Sequence, residues 1–169
     1  MAEMADMGHR VRFPPGAEIE GASMYVYNEV VADVAPDRVW AWLVRAALWP
    51  EWYRGCRNID IEGGGPDLAP GTRFHWTTLG VRVHTRIDEW IPGERLAWSG
   101  TGGGGATGYH GWVIERRPEG DLRIVTEETQ RGLLPRFGRW YFRPKLLHLH
   151  QQWLENLVAR ARAGLPGPR

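Results

Sequence analysis

His110 and Glu128 have types and spacing suited to acid–base chemistry. They lie in two alternating segments joined by a turn around Pro118-Glu119-Gly120. Antiparallel pairing about that turn sets Trp112 opposite Thr126 and His110 opposite Glu128, with both polar side chains on one face. An imidazole titrates near neutrality, and a carboxylate beside it orients it and favours its charged form. The pair is therefore a candidate catalytic couple, with His110 as general base. The favoured reading is a satisfied polar contact, because a buried carboxylate without a partner is costly.

The elements that must position this pair run from Thr72 to Glu128 and thread as five antiparallel strands. Period-two alternation puts Phe74, Trp76, Val83, Thr85, Ile87, Leu96, Trp98, His110, Trp112, Ile114, Ile124, Thr126 and Glu128 on a single face. Leu79-Gly80 reads as a two-residue turn that sets Trp76 opposite Val83 and Phe74 opposite Thr85. A turn at Ile91-Pro92 sets Ile87 opposite Leu96 and Thr85 opposite Trp98. A one-residue slip in any strand would turn its apolar residues outward.

Before these strands, residues 1–23 are polar, contain Pro14-Pro15-Gly16 and read as a flexible or wrapping arm. Met24–Val34 is a nearly continuous β-rich run. Pro36 suits the first turn of a helix over Asp37–Arg45, and a second short helix follows over Leu48–Tyr53, ended by Gly55. Arg57–Glu62 alternates as a further strand. After Gly132 the period becomes helical, with Pro144 starting or kinking a long helix to about Arg162. Leu146, Leu149, Trp153, Leu157 and Arg160 make its stripe, widened by Leu147, Leu154, Val158 and Ala161. Residues 24–163 are expected to form one domain, and 164–169 a tail.

Composition bounds the function. The 169 residues carry a net charge of +1, so no global field attracts nucleic acid. Of 21 basic residues only Lys145 is lysine, a bias without a phosphate-binding pattern. No apolar run reaches the ~18 residues a bilayer span needs, so no stable membrane insertion is expected. The N-terminus has no secretory apolar core, which makes a cytoplasmic location the default. Cys56 stands alone and excludes an intramolecular disulfide. Ten tryptophans are the anomaly, since Trp is enriched where an aromatic wall meets a ligand.

Other motifs add little. Gly102–Gly105 lacks the Lys-Ser/Thr of a phosphate loop and reads as a hairpin end or a lid. His148 and His150, two apart on a helix, point away from each other and cannot share one metal. His75 and His84 fall on the outer face. No metal site and no cofactor is expected. Arg136, Arg139 and Arg143 form a basic strip near the last helix, the pattern of a solvated surface.

In chain order, Ala35-Pro36-Asp37-Arg38-Val39-Trp40, Leu48-Trp49-Pro50-Glu51-Trp52, Pro70-Gly71-Thr72-Arg73-Phe74, Pro92-Gly93-Glu94-Arg95-Leu96-Ala97-Trp98, His110-Gly111-Trp112 and Thr126-Glu127-Glu128 resemble the START-like (SRPBCC) superfamily and its polyketide cyclase/dehydrase-like proteins. The resemblance covers roughly residues 24–163. It implies an α+β helix-grip fold: a curved seven-stranded antiparallel sheet wrapped around a long C-terminal helix, with two short helices between the first two strands. Pro144 departs from the family's uninterrupted final helix.

Three functions follow as expectations. In the first, a hydrophobic or aromatic, lipid- or polyketide-like molecule binds between sheet and helix. Its wall is Phe74, Trp76, Val83, Thr85, Ile87, Trp98, Trp112, Thr126, Leu146, Leu149 and Trp153. The inward Thr85, Thr126, His110 and Glu128, which a dry core would avoid, favour a cavity. In the second, His110 and Glu128 enolise a poly-β-keto chain or protonate an aldol adduct in a cyclase/aromatase-type enzyme. In the third, the core is filled and the chain is a protein–protein module using Trp90 or the arm. A monomer or homodimer fits each.

Overall fold

The computed structural model describes residues 10–168. In chain order the elements are β1 (Met24–Ala32), α1 (Pro36–Val44), a 3-10 turn (Ala46–Leu48) and α2 (Trp49–Trp52). Next come β2 (Arg57–Ile61), β3 (Arg73–Thr78), β4 (Val81–Ile91), β5 (Arg95–Thr101), a second 3-10 turn (Gly103–Gly105), β6 (Thr107–Arg116) and β7 (Leu122–Arg131). The chain closes with α3 (Leu133–Phe137) and α4 (Arg139–Ala163). The strands form one antiparallel sheet in the order β1-β7-β6-β5-β4-β3-β2. The sheet grips α4, which packs against β1, β7 and α1. This is the helix-grip architecture.

Local chemistry explains the elements that matter for the site. Pro36 opens α1, where its missing N–H would have no intrahelical partner. Leu79 (φ 49°) and Gly80 (φ 80°) both adopt left-handed backbone, the geometry of a type I′ hairpin. That turn holds Trp76 opposite Val83 and Phe74 opposite Thr85, as the alternation requires. The β6–β7 register likewise pairs Trp112 with Thr126 and His110 with Glu128.

The β4–β5 hairpin differs from the sequence reading. Its turn has three residues between paired Ile91 and Arg95, and a bulge lies between Ile87 and Glu89. Ile87 therefore faces Trp98, not Leu96, and Thr85 faces Gly100, not Trp98. The longer turn shifts the pairing by an odd number of residues. The bulge takes one back, and Ile87 and Thr85 stay on the inner face. Beyond the bulge the parity is reversed. Trp90 pairs with Leu96 and packs edge-on against Trp40, 5.0 Å between ring centroids. It is half-buried packing rather than a surface contact.

In α4, Leu146, His150, Trp153, Leu154, Leu157, Val158 and Ala161 are buried. Arg160 is exposed and leaves the expected stripe. Pro144 lies inside the helix, which begins earlier, at Arg139.

Arg10–Ser23 wraps the outer face of the sheet. Val11 is buried there with Ala97, Tyr109, Val113 and Val125. It sits so close to Gly111 that a Cβ on that residue would lie 2.5 Å from Val11 Cγ1, so glycine is required by proximity. Residues 1–9 of the expected arm lie outside the described residues.

Candidate functional site

The inner face divides into a packed end and an open one. At the packed end Trp49, Trp112 and Trp153 are fully buried. Tyr53 stacks on Trp153 at 4.0 Å, and Trp49 meets Trp153 edge-on at 5.0 Å. Such rings dominate core energetics, and truncating one costs about 3–5 kcal/mol. At the open end a cavity of about 100 Å³ remains between the sheet and α4.

Of the eleven side chains expected to line a ligand site, Trp76, Val83, Thr85, Trp98 and Leu146 border this cavity. The other six do not. Phe74, Ile87, Trp112 and Trp153 are packed into the core. Thr126 is buried behind His110, and Leu149 is half-buried against the core from the flank of α4. The threonines also lose their weight as signs of a wet face, because backbone carbonyls satisfy them. Thr85 Oγ1 donates to Phe74 O at 2.6 Å and Thr126 Oγ1 to Gly111 O at 3.2 Å. A β-branched residue that bonds its neighbour's backbone is compatible with a dry core.

His110 and Glu128 do meet at the cavity, and His150 of α4 joins them. Glu128 Oε2 lies 3.5 Å from His110 Nδ1 and 3.2 Å from His150 Nε2. The two imidazoles stack, 4.6 Å between centroids and 22° between planes, and both are buried. Thr126 Oγ1 is 2.6 Å from His110 Nε2. The Gly111 carbonyl can only accept, so a hydroxyl that donates to it accepts from the Nε2–H of His110.

The protonation states follow from burial. Desolvation, reinforced by His150 and opposed by Glu128, pushes His110 down to about 3. Glu128 does favour the charged form of His110, as expected, but burial and the neighbouring His150 outweigh its attraction. Burial also works against ionisation of Glu128. The hydrogen bond from His150 leads the interactions that outweigh it and hold the carboxyl below its usual range. The site is a carboxylate between imidazoles, one of them firmly neutral. Such an imidazole is a poor general base near neutral pH.

The expectation of no metal-ligating set also needs revision. His110, Glu128 and His150 each offer a ligand atom, all within 4.8 Å of one another. Helix spacing sets His150 only against His148, its exposed near neighbour, and carries no sign of the partners that the sheet brings. While the rings stay stacked, one ion cannot lie in both ring planes. Coordination needs one imidazole to turn.

His150, Tyr53 and Phe142 are among the contributors that sequence reasoning missed. His150 occupies the buried stripe between Leu146 and Trp153, and that spacing was the available signal. Tyr53, just after α2, and Phe142, at the start of α4, border the cavity through tertiary packing alone. The Gly102–Ala106 loop forms part of the rim; its middle is a 3-10 turn against which α3 packs. His75 and His84 sit side by side at 4.4 Å in an outer-face cross-strand pair.

The model of the polyketide cyclase/dehydrase and lipid transport family matches residues 25–162. The chain belongs to this family. No curated protein matches it significantly. Among solved structures, a hypothetical protein from Helicobacter pylori is 28% identical, with a TM-score of 0.84 over 90% of this chain and 96% of its own. A Streptomyces aromatase/cyclase is 16% identical, TM-score 0.65, covering 82% of this chain and 93% of that one. Ara h 8.0201 is 17% identical, TM-score 0.57, covering 80% and 98%. The last two likenesses carry the fold alone. Within this family fold the cavity, the aromatic core and the His110–Glu128–His150 group all lie between sheet and C-terminal helix.

Proposed function

We propose that this protein binds a hydrophobic or aromatic small molecule, lipid- or polyketide-like, whose polar end meets the His110–Glu128–His150 group. The observation that carries this reading is a charged and imidazole cluster facing a mostly apolar cavity, with the Glu128 side chain still 14% exposed. Two cavity-lining rings support it. Trp76 Nε1 and His150 Nδ1 are buried without a hydrogen-bond partner in the structure, a state that costs free energy until an acceptor or donor arrives. Both atoms have negligible access from the cavity, so a ligand's carbonyl or hydroxyl group reaches them only when the rings turn.

The cavity volume sets the mode of binding. Ligand pockets commonly span ~300–1,000 Å³, and about 100 Å³ accepts one end of such a molecule. The remainder lies in the mouth between Leu79, Val81, the Gly102–Ala106 loop and Leu134. Cyclase-type turnover through His110 is the less supported alternative, because its imidazole barely takes a proton at neutral pH. A protein–protein module with a filled core accounts for the packed end and leaves the polar cluster unused.

The test is quenching of tryptophan fluorescence by 2-naphthol and by a naphthoquinone, since Trp76 and Trp98 border the cavity. Saturable quenching that Val83→Phe abolishes supports the site. Quenching that survives in that variant places the ligand elsewhere and sinks the proposal. Native mass spectrometry of the purified protein, followed by organic extraction, identifies the chemical class of any retained ligand.

A further inference from the structure

The segment from Leu133 to Lys145 breaks the usual rule for a soluble surface. Leu133 is 68% exposed, Phe137 73% and Trp140 80%, with Leu134 and Tyr141 exposed beside them. Scattered apolar side chains need no explanation, but a contiguous group of this size marks an interaction site. The same segment carries Arg136, Arg139, Arg143 and Lys145, all exposed. No acidic residue occurs between Glu128 and Glu155. In the first turns of α4, Trp140, Tyr141 and Pro144 share one side while Arg139 and Arg143 flank it. Lys145 Nζ lies 3.7 Å from the Tyr141 ring centroid, which keeps that cation at the edge of the aromatic group.

Exposed Trp, Phe and Leu bordered by arginines is the composition of a segment that lies in a lipid–water interface. Tryptophan favours the headgroup level, and cations favour an anionic leaflet. Position adds a second argument. Leu134, Pro135 and Phe142, from the same segment, and Leu146 just after it form one wall of the cavity. The side chains that face outward and those that face the cavity therefore belong to one short stretch of chain.

We propose that Leu133–Lys145 docks the protein onto an anionic lipid bilayer, with the cavity mouth against the acyl boundary. Docking there lets an apolar molecule pass between bilayer and cavity without crossing water. The exposed rings replace the lipid surface they displace, and the arginines hold the headgroups. No helix among the described residues is long and apolar enough to cross a membrane, so the contact is peripheral. The docking surface stands on exposure and charge. Its role in ligand transfer rests on the binding reading above.

The experiment is co-sedimentation of the full chain with vesicles of phosphatidylcholine and with vesicles that also contain phosphatidylglycerol. Binding to the anionic vesicles, weakened by salt, is expected. Arg136→Gln/Arg139→Gln should reduce it about thirtyfold, taking about 1 kcal/mol for each cation near the surface. Phe137→Ser/Trp140→Ser should reduce it at both low and high salt, because its contribution is apolar. These sites are exposed, so the variants should keep the parent's circular dichroism.

Equal binding by parent and variants overturns the proposal. So does failure to bind either vesicle. A parent that runs as a dimer and becomes monomeric in Phe137→Ser/Trp140→Ser would assign the patch to a second copy of the chain, which also overturns it. Naphthol quenching of the same variants, measured without vesicles, separates the two readings. Lost vesicle binding with intact quenching supports docking as a function of this surface. Vesicle binding by Val83→Phe, with quenching abolished, supports docking independently of the cavity.

Discussion

Two consecutive glutamates in β7 occupy opposite faces of the same sheet and have opposite fates. Glu127 points outward and is fully buried beneath the N-terminal arm. It accepts hydrogen bonds from Arg10 Nε at 3.0 Å, Tyr25 Oη at 2.6 Å and the Val11 backbone N–H at 2.8 Å. Glu128 points inward, sits between two imidazoles and remains partly open to a cavity. The first carboxylate is saturated with charged and polar donors supplied by its own chain. The second has adjustable imidazole partners and space in front of it. A buried acid is thus not a functional site by virtue of burial; unfilled bonding capacity beside a cavity marks the difference.

The largest expected effect tests the saturated side. Glu127→Ala leaves Arg10, Tyr25 and the Val11 N–H without their acceptor and should cost about 3 kcal/mol in urea unfolding. A loss under ~1 kcal/mol would mean that the arm detaches freely and Glu127 is not a staple. Thr126→Val comes next. It removes the acceptor for His110 Nε2–H and should destabilise by about 2 kcal/mol. It should also release the imidazole from its fixed tautomer, seen as exchange of the ring nitrogen signals in NMR.

The pH response belongs to the inner side. His110 is lowered to about 3 when folded and returns to near 6.5 when unfolded. Between those values the unfolded chain binds more protons, so stability is full above pH 6.5 and declines as the pH falls toward 3. The slope from this group is at most about 1.4 kcal/mol per pH unit. Glu128, also lowered, contributes with the same sign. In His110→Leu the decline should flatten in this window. An unchanged profile would assign acid sensitivity to other groups.

The smallest effect on folding should come from Glu128→Gln, within about 1 kcal/mol, because the amide keeps an acceptor and can rehydrate at the cavity. Its effect on naphthol quenching should be the larger readout. If Glu128→Gln unfolds the protein as readily as Glu127→Ala, the proposed division between staple and site is wrong.

Much of this contrast was legible beforehand, though not equally on the two faces. Strict alternation in β6 and β7 placed His110 opposite Glu128, since a slip would expose Trp112 and Ile124. The same pattern assigned Glu127 outward and stopped there, because nothing in a polar arm announces that Arg10 and Val11 will return to cover it. His150 was readable from its place between Leu146 and Trp153. Its distance from His148 says nothing of Glu128, because a helix periodicity says which face is buried and not which strand it meets. The β4–β5 register is hidden from the sequence for a related reason. A three-residue turn and a bulge compensate each other, and inward parity at Ile87 is preserved under either pairing.

By itself the sequence determined the order of elements, the inner face of each strand and the helical grip, because side-chain periodicity and turn chemistry act over a few residues. Only the tertiary structure decided which inward aromatics became solid core and which bordered a cavity. Only it brought His150 to Glu128 and turned Trp140 to solvent. Those outcomes depend on how helix and sheet share a volume, and local pattern carries no information about the space left over.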